Sequence, residues 1–364
     1  MVSLSASRVV LADRLLEPGL VEFDDAGRIS SVEPTSGRVV ERTLIPGLID
    51  LQVNGHEDVD VGHAEGADWD RLDAMLIAQG VTAWCPTLVT MPLDRYAAPL
   101  ARMSAAAART GARPEIIGAH LEGPFLGGKP GAHPTGWIVP VDRAWLDALP
   151  EGIAVVTLAP ECPGASEAIA WGVERGVVVA LGHSAAGSDV VHTAIGAGAT
   201  LVTHLFNGMS GIDHRAPGMA AAALVDDRVT TSVIADFVHV HADAVRLAFR
   251  CKPRGRIVLV TDAVAWRGDQ VSGMGLRHDG TAPRMADGTL AGSALTLDRA
   301  VANVVGSCDV DLVDAVFAAS TAPADLIGRK DLGRIAVGAR ADLVALDDDL
   351  ACAGTWIGGE RVFG

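Results

Sequence analysis

Between residues 45 and 262, short apolar runs alternate eight times with amphipathic stretches, and several of those stretches stop at a glycine. This alternation constrains the fold more than any other feature. The apolar runs are 45–53, 81–89, 115–122, 153–159, 177–183, 200–206, 230–238 and 256–262, each short enough to be a buried strand. Between them, WDRLDAMLIAQ ends at Gly80, LDRYAAPLARMSAAAART at Gly111 and SEAIAWGVER at Gly176. A helix, a glycine and then a strand is the expected αβ junction. SDVVHTAIGA opens at Ser188, which is expected to be its N-cap, and ADAVRLAFR precedes the eighth run. Eight such units predict a (β/α)8 TIM-like barrel. An open doubly wound sheet would carry a glycine-rich phosphate loop after its first strand, and none is present. Beyond the eighth run, a glycine-rich connection over 265–293 leads to helices at 295–305 and 310–319 and a further turn near 323–328.

The two ends read differently. Residues 7–41 and 332–364 are short β-rich runs separated by Gly, Asp and Pro, and neither piece can close a core alone. The expected solution is that both ends pair into one small β-sandwich domain, 1–45 with 333–364, around a catalytic barrel of 46–332.

Composition removes several function classes. Of the 364 residues, 29 are Lys or Arg and 45 are Asp or Glu, a net charge of −16. Such a chain has no general attraction for nucleic acid or an anionic membrane, and an anionic ligand must be held by a few local cations. The five cysteines are scattered and form no CxxC pair, a reduced, intracellular pattern. The first residues lack the pattern of a signal peptide, and the longest apolar stretches are too short to span a bilayer, so the expected location is the cytoplasm.

Polar residues fall where a barrel would use them. Gln52 and Asn54 end the first strand, Glu122 the third, His183 the fifth, His204 the sixth and Asp262 the eighth, while Asp236 and His239 flank the end of the seventh. Chance would not place ionisable groups at so many strand ends on one rim, the rim where barrel enzymes do their chemistry. Glu122, His183 and His204 suit Zn²⁺ or a similar divalent ion, and three protein ligands leave a position open for water. Asp262, a carboxylate at the end of a buried strand, needs a partner, and an activated water is one.

The segments PGLIDLQVNG (46–55), HLEGPFL (120–126), LGHSAA (181–186), THLFNGM (203–209), ADFVHV (235–240), VTDAV (260–264) and AGSALTLDRAVAN (291–303) resemble the amidohydrolase superfamily. Within it they are most similar to the N-acetylglucosamine-6-phosphate deacetylases, over nearly the whole chain. The resemblance implies metal ligands at Glu122, His183 and His204 and a general base at Asp262. It places phosphate and sugar contacts at Asn207, the Gly208 N–H, Arg215 and His239. It also implies a lid histidine at His133, in GGKPGAHPTGW, which approaches the scissile carbonyl. The implied partner is a phosphosugar, the implied cofactor is Zn²⁺ (Fe²⁺, Mn²⁺ and Co²⁺ also suit these ligands), and the implied assembly is a homodimer in which a phosphate-binding residue can reach across from the partner.

One departure stands out. Most amidohydrolases carry His-x-His at the end of the first strand, where a second metal binds; here the positions are Gln52 and Asn54. Amides are weak ligands, so one tightly held ion is expected. His56 and His63 could rescue a weak second site but read more simply as loop residues. His120 is expected to pack inside the barrel beside Glu122. Cyclic-imide and nucleobase hydrolases of the superfamily often use a carbamylated lysine, and Lys129, Lys252 and Lys330 are not at strand ends. A non-catalytic barrel scaffold would have lost ligands that this chain retains. No GxSxG, catalytic Cys/His pattern or Walker loop occurs.

Overall fold

A computed structural model describes residues 2–267 and 275–364; residues 268–274 of the glycine-rich connection lie outside the described residues. Eight parallel strands form the inner wall: β1 (Leu48–Val53), β2 (Val81–Val89), β3 (Ala119–Glu122), β4 (Ile153–Leu158), β5 (Val178–Leu181), β6 (Leu201–Val202), β7 (Thr230–Val233) and β8 (Ile257–Leu259). Each pairs in parallel with its neighbours in chain order. The ring closes where Val53 bridges Ala263, with Asn54 N–H donating to Ala263 O at 2.8 Å and Asp262 N–H to Gln52 O at 3.0 Å. Both faces of this wall are covered, which is why its strands read as unbroken apolar runs.

Helices α1 (Asp68–Ala78), α2 (Ala97–Ala107), α3 (Arg143–Asp147), α4 (Ala165–Arg175), α5 (Ser188–Ala197), α6 (Met219–Val225) and α7 (Ala242–Cys251) connect successive strands. Gly176 ends α4 at φ 68°, returning its N–H to the last turn in a conformation that a side chain would oppose. Ser188 is the first residue of α5 rather than its cap; Gly187 holds the cap position and no side chain bonds there. After β8 come α8 (Leu297–Ser307), α9 (Leu312–Ala319) and α10 (Thr321–Leu326).

Four strands stop sooner than their apolar runs suggest. Residues 182–183, 203–206, 234–238 and 260–262 leave the ladder because His183, His204, Phe206, Phe237 and Asp262 all take positive φ, between 33° and 79°. A strand cannot continue through that backbone region. The side chains that end the runs are thereby turned out of the pleat and over the rim.

The two ends of the chain do pair, in a single mixed sheet of eight strands. Its order is 360–363, 352–357, 343–346, 40–46, 2–10, 19–23 and 29–34, with 15–16 attached to 2–10. This sheet encloses its own small cluster, including Val9, Val21, Phe23, Ile29, Leu44 and Leu343, beside the continuous core of the barrel. Among the described residues no helix is long and apolar enough to cross a membrane.

Candidate metal centre and active site

Glu122 ends β3 fully inside the barrel mouth. Its Oε1 lies 3.1 Å from His183 Nε2 and 2.9 Å from His204 Nε2, and the two nitrogens are 3.1 Å apart. Two buried imidazole nitrogens and a carboxylate oxygen thus converge on one point. Their spacing is close to the roughly 3.3 Å edge of a tetrahedron with Zn–N and Zn–O bonds near 2 Å. The residues fit a divalent ion. His133 joins them: Glu122, His133 and His183 offer ligand atoms all within 4.8 Å of one another. His133 Nε2 lies 3.8 Å from Glu122 Oε2, and its ring packs edge-on to His183 at 4.3 Å between centroids.

The amides at the end of β1 act on the carboxylates. Gln52 Nε2 donates to both Glu122 Oε1 and Asp262 Oδ1, each at 3.0 Å, and Asn54 Nδ2 donates to Asp262 Oδ1 at 2.7 Å. The Gln-x-Asn that replaces His-x-His therefore ties the Glu122 carboxylate to that of Asp262. Beneath them, Asp50 accepts from the Thr261 hydroxyl at 2.6 Å, locking β1 to the turn that carries Asp262. His120 is buried as expected, with Nδ1 against Leu51 O at 2.9 Å and Nε2 against Thr157 Oγ1 at 2.8 Å.

Burial and charge set the protonation states. Burial disfavours the Glu122 anion, but hydrogen bonds from His183 and His204 outweigh it and hold the carboxyl well below the usual range. At Asp262 the balance is reversed: burial, then the charge of Glu122, outweighs His204, His239 and the Asn54 hydrogen bond and pushes it up to about 7. Burial and neighbouring His183 bring His133 down to about 3, so its ring is neutral. Thr90 steadies that ring, with Oγ1 2.9 Å and N 3.4 Å from His133 Nδ1.

These groups line a cavity of ≈ 340 Å³ that Asn207, Gly208 and His239 also border. His239 Nδ1 is held at 2.7 Å by Asp236, which leaves Nε2 for a ligand. Arg215 is different: it is exposed, on a turn organised by Asp213, and does not line this cavity. His56 is engaged elsewhere, its Nε2 2.9 Å from Gln79 Nε2, whose Oε1 accepts from Leu297 N–H. His63 pairs with Asp60. Sequence reasoning did not single out Arg284, Thr289, Leu290 or Thr90. The first three border the cavity from the segment after β8, and Arg284 is the single arginine or lysine among its described lining residues. The 291–293 AGS string was the available signal for that wall.

The model of the amidohydrolase family matches residues 43–362. This chain belongs to the amidohydrolase family. It is 38% identical to an N-acetylgalactosamine-6-phosphate deacetylase of Escherichia coli O157:H7, over 98% of each chain. It is 34% identical to an N-acetylglucosamine-6-phosphate deacetylase of Vibrio furnissii, over 98% of this chain and 94% of the relative. Among solved structures, it is similar to a mutant N-acetyl-D-glucosamine-6-phosphate deacetylase from Mycobacterium smegmatis in complex with N-acetyl-D-glucosamine-6-phosphate. That likeness has a TM-score of 0.91 at 34% identity and covers 100% of this chain and 99% of that one. Membership in this family accounts for the buried Glu–His–His cluster at the C-terminal rim of the barrel.

Proposed function

We propose that the chain hydrolyses the N-acetyl amide of N-acetyl-D-glucosamine 6-phosphate to glucosamine 6-phosphate and acetate. The setting is amino-sugar catabolism or recycling in the cytoplasm, and the working form is a homodimer with one Zn²⁺ per chain. The observation that carries this reading is the single amide, Gln52, that joins the Glu122–His183–His204 cluster to Asp262. Ligand set and proton acceptor are thereby held in one unit, in a chain matched end to end by hexosamine-phosphate deacetylases.

A divalent ion held by Glu122, His183 and His204 would supply an acidified water and polarise the acetyl carbonyl. Asp262, bound through Oδ1 by two amides, takes the proton of the attacking water at Oδ2. It then returns that proton to the amine as the C–N bond breaks, serving as base and acid in turn. With the Thr90 N–H donating to Nδ1, His133 keeps its proton on Nε2 and donates it to the carbonyl oxygen as negative charge develops. The lid position of His133, over the cavity, also excludes bulk water. Asn207, the Gly208 N–H and His239 orient the sugar phosphate. Arg215, exposed beyond its own cavity, serves the phosphate in the partner subunit's site. Gln52 and Asn54 are occupied with the carboxylates, and His56 with Gln79, which supports one tightly held ion.

Acetate release from N-acetylglucosamine 6-phosphate, with and without chelator, tests this reading. The galactosamine epimer belongs in the same assay, because the Escherichia coli relative at 38% identity carries that name. Release from neither sugar by metal-loaded enzyme defeats the proposal; release from the galactosamine epimer alone reassigns the sugar.

A further inference from the structure

A second cavity, of ≈ 410 Å³, adjoins the first. Asn54, Val89, Pro134 and Val264 line both, so these four side chains are the partition between them. Asn207, Gly208 and His239 border only the first. The second cavity is mostly apolar, but Arg95 and Arg102, at the start and middle of the α2 region, stand in its wall. Among the described residues neither guanidinium pairs with a carboxylate. Arg102 donates Nη2 to Gly62 O at 2.5 Å, and its Nε is buried without a partner. The carboxylate in the same wall, Asp60, is matched by His63 at 2.7 Å. At the partition, Asn54 is buried, with Nδ2 donating to Asp262 Oδ1.

Two arginines without a carboxylate partner beside a catalytic cavity need an explanation in a chain of net charge −16. A buried donor without an acceptor, such as Arg102 Nε, is costly, and a bound anion satisfies it, while the exposed Arg95 adds its charge from the outer side. The deacetylation argued above, on which this inference rests, makes an anion at that place. Water oxygen bonds to the acyl carbon, the C–N bond breaks, the nitrogen leaves with the returned proton, and a neutral amide becomes an ammonium and a carboxylate. The new carboxylate forms in the first cavity while the sugar still fills the mouth of that cavity.

We propose that the second cavity receives the released acetate, with Arg95 and Arg102 as its counter-charges and the Asn54–Val89–Pro134–Val264 partition as the threshold it crosses. The exposed Ala98 marks the outer edge of the chamber, so acetate can leave without waiting for the phosphosugar.

The test is ¹³C-acetate binding to metal-loaded enzyme followed by NMR, together with acetate product inhibition. Arg95→Ala and Arg102→Met should each weaken acetate binding and raise its inhibition constant by roughly tenfold, the scale of one charge-assisted hydrogen bond. The KM for the phosphosugar should move less than about twofold, because neither arginine borders the first cavity. Arg95 is exposed, so its variant remains folded and informative even if Arg102→Met does not. Ala98→Trp should fill the chamber and make acetate release, rather than chemistry, limit turnover. Unchanged acetate binding in Arg95→Ala and Ala98→Trp overturns the proposal. A wild-type enzyme that binds acetate through these arginines yet releases none from either sugar would instead defeat the deacetylase reading.

Discussion

His183, His204 and Asp262 share a backbone oddity: each is a non-glycine residue at positive φ, at 50°, 33° and 51°. Such residues cost of order 1–3 kcal/mol each and persist where the surroundings over-determine them. Here the strain lets a short strand end and its last side chain turn over the rim toward Glu122. Asp262 is the sharpest single test. Asp262→Asn keeps the size and can retain a hydrogen bond with Gln52 or Asn54, but it cannot accept a proton. Its turnover number should fall by roughly 10²–10⁴, with little change in KM and with the metal retained; a variant that loses its metal would make Asp262 a ligand first. The pH profile follows from the same residue. As the proposed base Asp262 would work only when ionised, and burial with Glu122 raises it to about 7 in the protein alone. A bound dication favours the carboxylate and draws that value down. The acid limb of kcat/KM should therefore fall away below about 7 as pH drops, and measured rates of Asp262→Asn should lack it.

At the scale of elements, the turn after β6 does two jobs. Residues 203–209 carry His204, and they bring Gly208 at φ 56° against His183. A Cβ on Gly208 would lie 2.8 Å from His183 Nδ1 and 3.3 Å from Lys129 O. Gly208→Ala should thus displace the His183 ring on one side and the backbone at Lys129 on the other. Metal affinity, measured by competition with a chelator, should weaken about 10–100-fold, the usual effect of disturbing a ligand's support. The loop 210–218 is the contrasting case. It carries Arg215 outward, so Arg215→Ala should leave metal content unchanged. It should raise KM for the phosphorylated sugar far more than for the unphosphorylated one. Equal losses on both substrates would remove Arg215 from phosphate recognition.

For the whole molecule, a metal in the Glu122–His183–His204 cluster would couple to the fold. Glu122, His183 and His204 come from β3 and the turns after β5 and β6, so an ion held by them would tie three elements together. An ion at 100 times its dissociation constant stabilises the native state by about 2.7 kcal/mol. Chelated protein should melt several degrees below metal-loaded protein, and the loaded form should hold close to one ion per chain. Two tightly held ions after dialysis would mean that a further group completes a second site. The same scale explains why the substrate's charge needs special handling: with −16 overall, cations matter one by one, and Arg95, Arg102, Arg215 and Arg284 are placed differently around the site.

The barrel was legible because its information is local and repeated. Apolar runs, amphipathic stretches and stopping glycines each follow from nearest-neighbour chemistry, and eight of them in order leave one closed architecture. The Glu122, His183, His204 and Asp262 set was legible too, since strand ends on one rim must converge once the barrel closes. Other features were decided only by the tertiary structure. Strand lengths at β5 to β8 depend on left-handed residues that apolar runs do not mark. The work of Gln52 and Asn54 as donors joining two carboxylates depends on β1, β3 and the turn after β8 meeting. So does the Asn54–Val89–Pro134–Val264 partition, formed by residues far apart in the chain. Periodicity carries which elements form; distances between side chains of different elements are set only when those elements pack, and no local pattern encodes them.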